Sequence, residues 1–198
     1  MPKIEAASVA EHRAMVQRRL VDAAEQLMRT HRPLTAAAVA AAAGIARNSI
    51  YRYVDSVDEL RDLVIDRYLP QWLAAVDTEL AAARPDERVV TWVRANLRQA
   101  ADSGHSWLMA STRPVPVAVV SDGAVDRAHL GMRDALYQSW LDLTEGDGER
   151  AAVATSLTAA LLESGFRRLE SSDPELVIEL TTRAAQGLVS SLSGAKIG

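Results

Sequence analysis

The sequence predicts an all-α fold, and three observations carry that prediction. Apolar residues recur at three- and four-residue spacing through most of the chain, runs of alternating polarity are scarce, and alanine and leucine dominate while glycine and proline separate the periodic segments. With 198 residues, 48% of them hydrophobic and 24% charged, the chain has the composition of one average domain or of a small module fused to a larger one.

The elements follow in order. Ser8 and Glu11 form a capping-box signature, and Val16, Leu20, Ala23, Ala24, Leu27 and Met28 then share one face, so a first helix is expected from Ser8 to Thr30. His31, Arg32 and Pro33 interrupt it. Thr35 caps a short alanine-rich helix that stops near Gly44, where a left-handed backbone carries no steric cost. A third short helix is expected from about Ala46 to Val54. Ser56 and Glu59 make a second capping box, opening a fourth helix through Leu60, Leu63, Val64 and Tyr68 toward Pro70.

Beyond Pro70 the helices lengthen. Trp72, Val76 and Leu80 form one stripe, Val89, Trp92, Val93 and Leu97 another, and Met132, Leu136, Tyr137 and Trp140 a third. Between the last two lies SGHSWLMASTRPVPVAVVSDG, whose prolines and Asp122-Gly123 turn signal predict short or broken helices. Two closing helices are expected, from Glu149 to Leu169 and from Pro174 to Leu192. Ala160, Ser164 and Gly165 on one, and Ala184, Gly187 and Ser191 on the other, allow close backbone approach. That pattern fits antiparallel packing within one subunit, or docking on a symmetry mate as a four-helix bundle.

Several classes are excluded by what is missing. The longest uncharged run, Pro33 to Ala46, is too short and alanine-rich to span a bilayer, and no apolar stretch follows Lys3, so neither a membrane span nor a secretory signal is expected. The absence of cysteine removes disulfides, thiolate metal sites and thiol nucleophiles, and a cytoplasmic location is expected. No HExxH motif, phosphate-binding glycine loop or GxSxG elbow occurs; no catalytic residue, metal site or cofactor is expected. The net charge of −4 conceals a split: residues 1 to 53 carry +4 and the rest −8. A basic head precedes an acidic body, which points to an anionic partner at the head, with solvated helix faces as the alternative.

The segment LTAAAVAAAAGIARNSIYRYVDSVDEL concentrates the chemistry. Val39 and Ala40 before Gly44, with Ile50 after it, suit two short helices crossing steeply around a tight turn. If Ile50 and Val54 face inward, Arg47, Asn48, Tyr51 and Arg52 gather on the outward face. An arginine can grip guanine or phosphate in a bidentate fork, an asparagine can pair the adenine edge, and a tyrosine hydroxyl can bond a phosphate oxygen. A solvated helix face is the structural alternative.

On these residues the chain resembles the TetR family of transcriptional regulators, AcrR-like repressors with an N-terminal helix-turn-helix. The match runs through RLVDAAEQLM, VAAAAGIARNSIYRYV and DSVDELRDLVIDRYL and is strongest over Ala40 to Leu60. After the turn glycine the family typically has an aliphatic residue, serine, lysine, two small residues, leucine and tyrosine, here Ile45, Ala46, Arg47, Asn48, Ser49, Ile50 and Tyr51. Ala46 replaces a capping serine, Val57 a phosphate-contacting lysine and Val54 an aromatic residue, and the turn at Pro33 is short. The resemblance implies a helix-turn-helix DNA-binding domain over residues 1 to 54, a connecting helix over 55 to 70, and a helical effector-binding and dimerisation domain over 71 to 198. It also implies a palindromic double-stranded operator, a homodimer through the last two helices, and release by a small molecule. Arg47, Asn48, Tyr51 and Arg52 become the expected DNA contacts. Ser49 and Tyr53 flank them, and Thr35 offers a backbone amide to phosphate.

All four tryptophans lie in the body, which suits a largely apolar effector pocket. Trp92, Trp107, Met132 and Trp140 are the first candidates to line it, then Met109, Tyr137 and Phe166; core filling is the competing role for each. His105, Arg113 and His129 could orient a polar ligand group, though surface roles suit them as well. Asp122 and Asp126 read as helix-entry charge rather than an acid-base pair. The rival readings are a dimeric helical interaction protein with a degenerate DNA-binding head, indifferent to loss of Tyr51 and Arg47, and a small all-α enzyme using Asp122 with His129.

Overall fold

The computed structural model describes residues 9–102 and 124–193, and no strand occurs among them. The chain is all-α. Helix α1, Val9–Arg29, buries Val16, Leu20, Ala23, Ala24, Leu27 and Met28 along one face, as the three- and four-residue spacing dictates. Ser8 lies outside the described residues. Helix α2, Ala36–Ala43, begins where the Thr35 hydroxyl accepts the Ala38 amide at 3.2 Å. It ends at Gly44, whose φ of 68° is the left-handed geometry that closes a helix.

The third element differs from expectation. Arg47–Arg52 forms a 3₁₀ helix, with Ser49 N donating to the Ala46 carbonyl at 2.9 Å and Tyr53 N to that of Ile50 at 3.0 Å. Ala46 offers no side-chain cap, so the first amides have no acceptor that would favour an α-helical start, and a six-residue segment gains few i→i−4 bonds in return. Helix α3, Val57–Ala82, opens with the Ser56 hydroxyl accepting the Glu59 amide at 2.9 Å, while the Glu59 carboxylate accepts the Asp55 amide. It continues through Pro70. An interior proline removes one backbone donor, at a cost of about 3 kcal/mol, but Pro70 is exposed and the buried Leu69, Trp72 and Val76 hold this stretch on the core.

Chain contacts divide the molecule into two compact units, Met1–Arg67 and Tyr68–Gly198, with the division inside α3. In the first unit α1, α2, the 3₁₀ helix and the start of α3 enclose Leu20, Ala24, Val39, Ala40, Ile50, Leu60 and Val64, all fully or almost fully buried. Each large aliphatic side chain so enclosed contributes about 1.5–3 kcal/mol. Arg67 fastens α3 to α1 through Asp22 at 2.7 Å and Glu25 at 3.0 Å. Partial burial works to lower the Arg67 pKa, but hydrogen bonds and charge from the two carboxylates outweigh it and raise the value.

In the second unit a 3₁₀ turn, Pro85–Glu87, leads into α4, Arg88–Asp102, which packs against all three later helices. These are α5, Ala124–Leu143; α6, Gly148–Leu169; and α7, Pro174–Leu192. Asp147 caps α6 by accepting the Arg150 amide at 3.0 Å, and Pro174 opens α7. Gly165 of α6 lets α4 and α7 approach, since a Cβ there would stand 2.9 Å from Leu97 Cδ2 and 3.3 Å from Thr181 Oγ1. No helix of the described residues is long and apolar enough to cross a membrane.

Candidate functional site

Gly44 turns the chain from α2 into the 3₁₀ helix, and burial then sorts the side chains. Ile50 and Val54 are enclosed, whereas Arg47, Asn48, Tyr51 and Arg52 are exposed, Tyr51 to 59%. None of these four side chains makes a hydrogen bond or ion pair within the described residues, so their full bonding capacity faces outward. At that exposure much of the tyrosine's apolar surface stands in water. Ser49 and Tyr53 are half-buried at the flanks of this face, and Thr35 is exposed at the start of α2 with its hydroxyl engaged as a cap.

Arg19 belongs to the same construction, a role its position on α1 did not announce. Its Nη2 donates to the carbonyl of Ala43 at 2.5 Å, in the last turn of α2 and next to the turn glycine. A cation there satisfies an otherwise orphan carbonyl and opposes the negative end of the helix dipole. Only the fold could reveal this, because the partners are twenty-four positions apart.

In the second unit a pocket of about 270 Å³ is lined by Leu73, Val76, Asp77 and Leu80 of α3, Trp92 of α4, and Gly131, Met132 and Ala135 of α5. Two expected lining residues, Trp92 and Met132, meet there. Three others lie elsewhere. Trp140 is fully buried, its Nε1 donating to Thr158 Oγ1 at 3.0 Å; Phe166 packs edge-on against Trp72 at 6.2 Å; and the Tyr137 hydroxyl approaches the start of α6 at Gly148. Trp107, Met109, His105, Arg113 and Asp122 lie outside the described residues, as do the side chains of Asp126 and His129. The α3 contribution went unrecognised in the sequence because Leu73, Val76, Asp77 and Leu80 share a face whose neighbour is set by the tertiary fold. No cluster of metal-ligating side chains occurs among the described residues.

The last two helices leave a further surface open. Val153 and Leu157 of α6 and Leu176 and Leu180 of α7 are 55%, 47%, 49% and 53% exposed. Ala160, Ser164, Ala184, Gly187 and Ser191 are exposed on the same two helices, and a Cβ on Gly187 would meet nothing within 4 Å.

This all-helical arrangement is the fold of TetR-family regulators. It superposes on a TetR-family transcriptional regulator from Streptomyces coelicolor with a TM-score of 0.56 and 21% identity, over 96% of this chain and 98% of that one. The transcriptional regulator FadR from Bacillus subtilis, solved in complex with stearoyl-CoA, gives 0.57 and 16% over 87% of this chain and 97% of its own. The fatty acid degradation regulator FadR from Bacillus halodurans gives 0.55 and 15%, over 91% and 96%. At these identities the likeness is one of fold. Neither a protein-family model nor a curated protein matches the sequence.

Proposed function

We propose that this chain is a DNA-binding transcriptional regulator of the TetR type, a repressor that binds a palindromic operator as a homodimer and leaves it when a small, largely apolar molecule occupies the body. The observation that carries this reading is the set of exposed side chains, Arg47, Asn48, Tyr51 and Arg52, which pair with nothing among the described residues and stand on a short helix anchored by Ile50 and Val54 behind a tight turn. Two exposed arginines, an asparagine and an exposed tyrosine are the groups that grip phosphates and read major-groove edges. Ser49, Tyr53 and the Thr35 end of α2 flank them as backbone contacts.

Dimerisation through α6 and α7 is supported by their exposed Val153, Leu157, Leu176 and Leu180, which a four-helix bundle with a second copy would cover. Two-fold symmetry then requires half-sites about one helical turn, or a multiple of it, apart. Effector binding acts through α3, a single helix that supplies Leu60 and Val64 to the first unit and Leu73 and Val76 to the pocket. A bias worth about 1–3 kcal/mol on that helix changes operator affinity enough for a switch. The chain acts where the chromosome is, in the cytoplasm, and this function asks no catalysis of it.

The test is selection of bound duplexes from a randomised pool, followed by a salt titration of the winner. A palindromic winner is expected, with binding that falls steeply with salt and collapses in the Arg47→Ala, Tyr51→Ala double variant. No enrichment by folded, dimeric protein would overturn the reading in favour of a helical interaction protein.

A further inference from the structure

The pocket of the second unit has an uneven chemistry. Its wall is apolar, built from Leu73, Val76, Leu80, Met132 and Ala135 around the ring of Trp92, and Asp77 is the one ionisable group that lines it among the described residues. Trp92 and Val76 are buried, whereas Leu73, Leu80 and Met132 stay half-buried and Asp77 is exposed, which puts the carboxylate at the mouth and the indole deeper in. Among the described residues Asp77 has no hydrogen-bond or ion-pair partner, and no basic side chain lines the pocket. One turn to either side of Asp77, α3 carries Leu73, Ala74, Leu80 and Ala81, so its own helix face supplies no counter-charge.

We propose that this pocket binds a small organic cation with an apolar body, its charge held by Asp77 and its body seated against Trp92. The inference rests on the regulator reading for its biological meaning, and adds the charge class of the effector. An anionic ligand would meet the Asp77 carboxylate with no compensating cation among the described lining residues. A neutral ligand would gain the apolar wall and leave the carboxylate unused. A cation with an apolar body gains both. The volume of about 270 Å³ falls just below the usual range for ligand sites, which favours a compact ligand of one ring over a long chain.

The test is calorimetric titration of the intact protein, without DNA, with benzyltrimethylammonium, benzyl alcohol and phenylacetate as cationic, neutral and anionic probes of similar bulk. The cation is expected to bind about tenfold more tightly than the anion, with the alcohol between them. Asp77→Asn should bring the three within about twofold of each other. Because residues 54 to 198 are net acidic, Glu79→Gln, which alters a carboxylate of α3 outside the pocket, separates local recognition from the general field and should keep the preference. Gly131→Phe should abolish binding of all three, since a side chain there enters open space at the pocket wall. A preference that survives Asp77→Asn, one that Glu79→Gln lowers equally, equal or tighter binding of phenylacetate, or no binding of any probe at millimolar concentration would each overturn the proposal. Duplex selection reads the regulator function separately, so failure of one leaves the other standing.

Discussion

The guanidinium of Arg19 and the carbonyl of Ala43 meet at 2.5 Å, joining the middle of α1 to the last turn of α2 beside the Gly44 turn. This bond fixes the angle at which the chain leaves α2, and with it the placement of the 3₁₀ helix that carries Arg47 and Tyr51. Arg19→Met keeps the apolar stem and removes the donor. The expected loss is about 1–2 kcal/mol, a drop of about 2–8 °C in melting temperature, with weaker duplex binding. Arg18→Met, which removes an exposed arginine with no partner among the described residues, should leave melting unchanged.

Ala46 precedes the 3₁₀ helix in an extended conformation, φ −67° and ψ 137°, with no side chain to cap it. Ala46→Ser places a hydroxyl where an N-cap acceptor belongs. Thermal melting should rise by the equivalent of about 1 kcal/mol, and duplex affinity should rise with it because the contact face becomes more ordered. A variant no more stable than the parent would show that backbone geometry, rather than the missing acceptor, sets the 3₁₀ form.

Asn96 is fully buried in a polar relay, accepting from Trp72 Nε1 at 2.8 Å and donating to the Trp92 carbonyl at 2.8 Å. Asn96→Leu preserves volume but strands a buried indole N–H. The expected destabilisation is about 2–4 kcal/mol by chemical denaturation, larger than that of Trp72→Phe with Asn96→Leu together, because the double variant removes the stranded donor.

Gly165 and Gly187 provide an internal comparison. Gly165→Ala forces a Cβ against Leu97 and should destabilise by about 1–3 kcal/mol. Gly187→Ala enters open space within its own subunit and should gain about 0.5–1 kcal/mol from helix propensity. Equal effects in denaturation would contradict the close approach of α4, α6 and α7 at Gly165.

The proposed pairing of α6 and α7 with a second copy predicts that Leu157→Glu with Leu180→Glu yields a monomer in sedimentation velocity while leaving helical content intact, because both side chains are about half exposed within one chain. A change in circular dichroism instead would assign the two leucines to the fold of the single chain.

Much of this molecule was legible in one dimension because its signals are local. Helical period, caps and turn residues act within a few positions, so Thr35, Gly44, Ser56, Glu59 and Pro174 set element ends within a residue or two of those expected. The division of Arg47, Asn48, Tyr51 and Arg52 from Ile50 and Val54 was likewise written in their spacing. Tertiary structure decided the rest. Burial of Leu69, Trp72 and Val76 carried α3 through a proline that local propensity would treat as a stop, and Arg47–Arg52 took the 3₁₀ form where an α-helix was expected. Composition alone could not sort core aromatics from pocket aromatics, since both repeat at helical spacing. Trp140 and Trp72 went inside because Thr158 and Asn96, eighteen and twenty-four positions away, satisfy their indole N–H groups, whereas Trp92 came to line a pocket beside Asp77 through the meeting of three helices. Such pairings depend on long-range packing, which no local pattern encodes.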